Sequence, residues 1–217
     1  MGLRTPLSGR EWDKEKARHL LNRAGFGGPA ERVDILAKMT PEEAVASLVD
    51  FSPQKVEAPG FLMPVMSSQE RRTMYREMDE DERREWNQKN QREERAAMSA
   101  LRSWWLERML HSPNPLEEKM ALFFHGHFAC SAQKVRYSSH NHQMNALFRE
   151  HAAGNFKALT TAVGQSPAML RDLDNNRSTK RKPIENWARD LMELFSMGRD
   201  QYTEAAIKES ARAFTGW

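Results

Sequence analysis

Five of the seven histidines lie between residues 125 and 151, and four of them form two His-x-His pairs, His125 with His127 and His140 with His142. Imidazole is both a common metal ligand and a proton carrier near neutral pH. Spacing decides whether a pair can act together. Residues two apart on a regular α-helix point about 200° from one another, so chelation of one ion needs an extended or terminal turn. Gly126 permits such a turn at the first pair, close to an expected helix end. His125 and His127 are therefore candidate ligands for a divalent metal ion, and capping or hydrogen-bonded core histidines are the alternative. His140 and His142 fall in a polar stretch over residues 131–139 and just beyond, where a metal role is the weaker reading.

A second set of candidates sits on an expected helix over residues 184–197. Ile184, Trp187, Ala188, Leu191, Leu194 and Phe195 form its core stripe, while Glu185, Arg189 and Glu193 stand one turn apart on another face. Such a ladder of alternating charges ordinarily stabilises a helix by a few tenths of a kcal/mol per pair. Its catalytic reading has Glu185 or Glu193 as a metal ligand or general base, oriented by Arg189. The run Asp172-Leu173-Asp174-Asn175-Asn176 offers hard oxygen donors without the full calcium-loop pattern, and a simple turn also explains it. Lys180-Arg181-Lys182 could hold a phosphate or merely solubilise a loop. Cys130 is the single cysteine, which excludes an internal disulfide and a multi-cysteine zinc site and suits a buried inert thiol. The chain lacks a Walker loop, a dinucleotide fingerprint, a nucleophile elbow and a His-Glu-x-x-His motif.

The elements that must position these residues are helical throughout. Apolar residues at helical spacing from Trp12 to Ala24 stop at Gly25, Gly27 and Gly28, a second helix begins near Pro29, and Thr40-Pro41-Glu42-Glu43 carries a complete start signal. Residues 52–64 contain three prolines, Pro53, Pro59 and Pro64, and read as an irregular connection. Between residues 67 and 111 neither proline nor glycine interrupts the chain, so one long helix or two nearly continuous ones is expected. Its first part, residues 68–95, is densely charged with both signs and reads as a solvated arm. Its second part carries Met98, Leu101, Trp104 and Trp105 into the core. Asn114-Pro115-Leu116-Glu117 starts the next helix with cap, proline and return glutamate. Helical runs then follow over residues 143–153, 156–163 with Gly164 as terminator, 166–173, 184–197 and 203–214. The predicted class is all-α, a compact multi-helix domain of roughly eight to ten helices over residues 1–217.

Thirty-three Lys and Arg against thirty Asp and Glu leave a formal charge of +3, too mixed to imply a nucleic-acid partner or an anionic membrane. A mean hydropathy of −0.78 and the lack of any long apolar run argue against a membrane-spanning helix. The first residues hold no apolar export segment, so a cytoplasmic protein is expected if Met1 is the native start.

Several segments together resemble one bacterial family, domain of unknown function 1800. They include Ala17-Arg18-His19-Leu20-Leu21-Asn22-Arg23-Ala24-Gly25-Phe26-Gly27, Phe124-His125-Gly126-His127-Phe128, Gly154-Asn155-Phe156, Pro167-Ala168-Met169-Leu170 and Leu173-Asp174-Asn175. The most specific are Glu185-Asn186-Trp187-Ala188-Arg189-Asp190-Leu191-Met192-Glu193-Leu194-Phe195 and Ala211-Arg212-Ala213-Phe214-Thr215-Gly216-Trp217. The resemblance implies an all-helical protein of unknown biochemical role, often exported, and often encoded beside a sulfatase-like family, domain of unknown function 1501, as a candidate protein partner. Members usually have Asn where Ile184 stands and Glu where Asp190 stands, and they are about twice as long, so an N-terminal half is expected, with an apolar patch around Phe214 and Trp217. A pattern that keeps these motifs together suggests one polar site drawn from His125, His127, Asp174, Glu185, Asn186, Arg189 and Glu193. Two functions follow as expectations: a metal-binding or hydrolytic module in which a divalent ion activates water, or a non-catalytic helical scaffold that binds a partner protein.

Overall fold

The computed structural model describes residues 11–217, and the export-segment reading of the first residues lies outside them. Among the described residues the chain forms eleven α-helices, one short 3₁₀ turn and one π-helical turn, with a single isolated bridge between Thr179 and Lys182 in place of any sheet. The all-α expectation holds.

The first three helices, α1 (Lys14–Arg23), α2 (Ala30–Ala37) and α3 (Pro41–Val49), pack through Ala17, Leu21, Val33, Leu36, Ala44 and Leu48 into a small core of their own. The start of α3 is a closed capping box, as its Thr-Pro-Glu-Glu spacing predicts, with Thr40 and Glu43 bonding reciprocally. The irregular connection after α3 is pinned from outside: Glu117 accepts the Gln54 N–H at 2.9 Å, and Asn114 Nδ2 donates to the Ser52 carbonyl at 3.1 Å.

The charged stretch is two helices, α4 (Ser68–Glu77) and α5 (Glu80–His111), separated by an extended Met78. Each has its own capping box, Ser67 with Glu70 and Asp79 with Glu82, so the break is encoded without proline or glycine. The two double back on each other. Tyr75 Oη donates to Asn87 Oδ1 at 2.7 Å, Arg83 Nε donates to the Tyr75 carbonyl at 2.8 Å, and the Tyr75 ring meets Trp86 edge-on at 5.7 Å.

The main core is built by α6 (Pro115–His127), α7 (Ser138–Glu150), α8 (Phe156–Gln165), α9 (Pro167–Asp172) and α10 (Asn186–Asp190), around Phe124, Phe128, Phe148, Leu159, Met169 and Trp187. The last helix, α11 (Glu204–Ala213), buries Ile207 and Ala211 against Ala188.

Four local expectations are corrected. Asn114 makes no side-chain cap, and Glu117 is not a return glutamate, because both side chains are committed to the connection after α3. Helix α7 starts at Ser138 rather than near residue 143. The polar residues there are capped by tertiary partners: the Glu94 carboxylate on α5 accepts the Ser138 N–H at 2.9 Å. Gly164 does not stop α8. It lies inside the helix, where the Trp187 ring passes so close that a Cβ would stand 2.5 Å from it. The helix over residues 184–197 is not uniform either. After α10 the backbone widens into a π-helical turn, Leu191–Ser196, in which Met197 N bonds Met192 O at 2.9 Å. The wider turn rotates the face, and Leu194, expected in the core, is 55% exposed.

Candidate functional site

Helix α10 and the π turn carry the polar face that the sequence singled out, and the turn before α11 together with the start of α11 supplies its partners. Thr203 caps α11 by accepting the Ala206 N–H, which sets Glu204 in the first turn facing Arg189. The Arg189 guanidinium grips both oxygens of Glu204, at 2.8 and 2.9 Å, and donates to Glu185 Oε2 at 3.2 Å. This two-pronged geometry raises the Arg189 pKa and lowers that of Glu204. Glu193 accepts from Tyr202 Oη at 2.5 Å and from Arg199 Nε at 3.1 Å. The Tyr202 hydrogen bond, above all, holds its carboxyl below the ordinary glutamate range. A general base working near neutral pH needs the opposite shift.

The remaining candidates lie in the turns and contacts around this face. Asn186 Nδ2 donates to the Leu173 carbonyl at 3.1 Å. Asp174 sits in the left-handed region at φ 59°, opening the 3₁₀ turn Asn175–Arg177, with Arg177 at 4.0 Å. Lys180, Arg181 and Lys182 form an exposed tight turn closed between Thr179 and Lys182.

The two histidines of α6 serve different neighbours. His125 packs its ring on Trp105 at 5.0 Å and on Phe148 at 6.0 Å, and burial pushes its pKa down. His127 turns the other way, and its Nε2–H donates to the Phe195 carbonyl at 3.0 Å, one of the acceptors left over near the end of the π turn. Helix α6 stays regular through Gly126 and His127, so the turn that chelation needs does not form. Among the described residues no group of three or more His, Cys, Asp or Glu side chains could hold a metal ion. The divalent metal ion expected on His125, His127 and Asp174 is thereby overturned.

The structure also shows polar groups that sequence reasoning passed over. Glu118 is wholly buried and accepts from Arg149 Nε at 2.7 Å, Arg108 Nε at 2.8 Å and Trp105 Nε1 at 3.0 Å. Arg149 also donates to Asn145, and its guanidinium lies 5.2 Å from the Trp104 ring. Asp190 is the other omission. Burial, followed by the charges of Glu193 and Asp172, lifts its carboxyl above the ordinary range. The available signal for the first set was spacing: His142, Asn145 and Arg149 recur at i, i+3 and i+7 on α7.

The outer surface beside His127 is aromatic. Phe123 stacks on the His127 ring at 6.2 Å, and Phe156 meets it edge-on at 5.8 Å. Phe123 is 59% exposed and Phe156 44%. At the far end of the chain Trp217 is 41% exposed, and Phe214 is partly covered by Trp187 and Trp217. No helix among the described residues is long and apolar enough to cross a membrane.

No curated protein and no solved structure matches this chain significantly. A family model described as a protein of unknown function (DUF1800) matches residues 19–217, a span that holds every helix from α2 onwards, the paired Glu185-Arg189-Glu193 face and both histidines of α6. The chain belongs to the DUF1800 family.

Proposed function

We propose that the protein is a non-catalytic helical scaffold that binds a partner protein through the aromatic surface around His127. The single observation that carries this reading is the pair of exposed rings, Phe123 and Phe156, held on either side of an imidazole whose own position is fixed by the Phe195 carbonyl. Rigid aromatic side chains give large contact area at low entropic cost, which is why they dominate protein interfaces. The resemblance noted in the sequence supplies the candidate partner, the sulfatase-like family domain of unknown function 1501. The test is co-expression of the chain with a member of that family from the same host. Wild type should co-purify with it, and Phe123→Glu with Phe156→Glu should lose it without losing helicity.

A hydrolytic reading keeps one observation in its favour. Asp190 is half-buried, and burial raises its carboxyl above the ordinary range, which is the direction of shift a general acid needs. Turnover of an ester, phosphoester or glycoside that vanishes in Asp190→Asn would support hydrolysis over scaffolding.

A further inference from the structure

The whole-chain balance of +3 hides a strong local asymmetry. A cleft of about 990 Å³ opens between the α4–α5 hairpin and the segment that leads into α7, and six cations line it: Arg71, Arg95, Arg102, Lys134, Arg136 and Arg171. One carboxylate, Glu94, faces them, and it is already engaged by the Ser138 N–H. None of the six takes part in an ion pair among the described residues. The sequence leaves two of them without the usual helical partners. Arg95 has Gln91, Arg92, Met98 and Ser99 at three and four residues either way, and Arg102 has Met98, Ser99, Trp105 and Leu106. Near the start of α5, by contrast, Arg84 pairs with Glu80 at 2.6 Å.

The walls are also ordered in advance. Arg71 donates to Tyr137 Oη at 3.1 Å, Arg171 lies 4.7 Å over the Tyr137 ring, Lys134 Nζ donates to the Asp172 carbonyl at 2.7 Å, and Arg136 Nε donates to the Gln133 carbonyl at 3.1 Å. These bonds hold the cations in place without neutralising them. Like charges gathered around a concave surface repel one another and raise the local concentration of anions.

We propose that this cleft binds a compact anion carrying two or more linked phosphate groups. Arg95 and Arg102, seven residues apart, lie on one face of α5 with a rise of about 10 Å between their backbones, so that wall offers two guanidinium positions rather than one. Guanidinium forks match phosphate oxygens in pairs, and five of the six cations are arginines. Asn87, Gln88, Asn90 and Gln91 add amide donors and acceptors along the same helix. A single-stranded nucleic acid fits less well, since it needs free aromatic faces for base stacking. Here Trp86 is covered by Tyr75 and Arg71, and Tyr137 lies between Arg171 and His140.

The experiment is titration calorimetry of the full chain with inorganic tripolyphosphate and with orthophosphate, at low and moderate salt. Tripolyphosphate should bind at least about tenfold tighter than orthophosphate and weaken as salt rises. Arg95→Gln with Arg102→Gln should weaken tripolyphosphate at least about tenfold, with an unchanged circular-dichroism spectrum. Arg136→Gln, on the opposite wall and outside any helix, provides an independent loss should the α5 variants unfold. The exposed turn variant Lys180→Gln, Arg181→Gln, Lys182→Gln should bind as wild type. Absence of tripolyphosphate binding, equal affinity for the two anions, or an equal loss in the turn variant would overturn the assignment. So would tighter binding of a short oligothymidine that tripolyphosphate cannot displace.

Discussion

Arg149 Nε donates to Glu118 Oε1 across 2.7 Å at a point where neither side chain reaches solvent. The same carboxylate holds Arg108 and Trp105, so one residue of α6 ties α5 to α7. Removing one member of a buried ion pair strands the other in a medium that cannot solvate it. Glu118→Ala should therefore lower unfolding stability by about 3–5 kcal/mol, measured by urea denaturation. A loss below about 1 kcal/mol would show that water reaches Arg149.

This network also marks the limit of what the sequence revealed. Helix starts with local signals, such as Thr40 with Glu43, were legible because cap and partner lie within one turn. Glu117 and Ser138 were not, because their partners, Gln54 and Glu94, lie far away along the chain. The polar face of Glu185, Arg189 and Glu193 was found by spacing, but of its partners Glu204 opens the next helix and Tyr202 lies in the turn before it. Helical spacing also assumes a uniform helix, and the π turn defeats that assumption at Leu194. The cations of the cleft come from α4, α5, the loop before α7 and α9, so no window of sequence contains them.

The approach of Trp187 to Gly164 gives a packing prediction. A Cβ at residue 164 would stand 2.5 Å from Trp187 Cζ2, and the indole is buried with little room to move. Gly164→Ala removes a helix-interior glycine, which alone would stabilise α8 by about 1 kcal/mol. Overpacking outweighs that gain, and the net result should be a loss of about 1–3 kcal/mol in denaturant unfolding. A stabilised variant would mean that the Trp187 ring yields.

Burial lowers the pKa of His125, and it does the same for His140 beside Arg171 and His142 beside Arg149. A histidine kept neutral by the fold contributes stability above its ordinary value near 6.5, and that contribution is lost as pH falls through the depressed folded value. Glu117 and Asp190, both raised by burial, act in the opposite sense: their contribution is present at low pH and lost as pH rises through their folded values. The melting temperature should drop between about pH 7 and about pH 5. In His140→Gln with His142→Gln the slope should flatten; an unchanged slope would remove these two rings as its cause.

Cys130 packs against the main core, and burial, aided by Asp172, pushes its thiol up to about 12. The nucleophile in alkylation is the thiolate. Iodoacetamide at about pH 8 should label the folded protein far more slowly than the protein in urea, by mass spectrometry. Equal rates would mean that the native fold opens around Cys130.

The claim that the molecule is a binding scaffold rests on Phe123 and Phe156 around His127, and the most direct measurement is the binding of a member of the proposed sulfatase-like partner family to purified wild type and to Phe123→Glu with Phe156→Glu. The account predicts a defined complex with wild type by size-exclusion chromatography with light scattering. It also predicts loss of that complex in the variant, with both proteins keeping the same helical spectrum and melting temperature. A complex that survives both substitutions, or wild type that forms none, would contradict it.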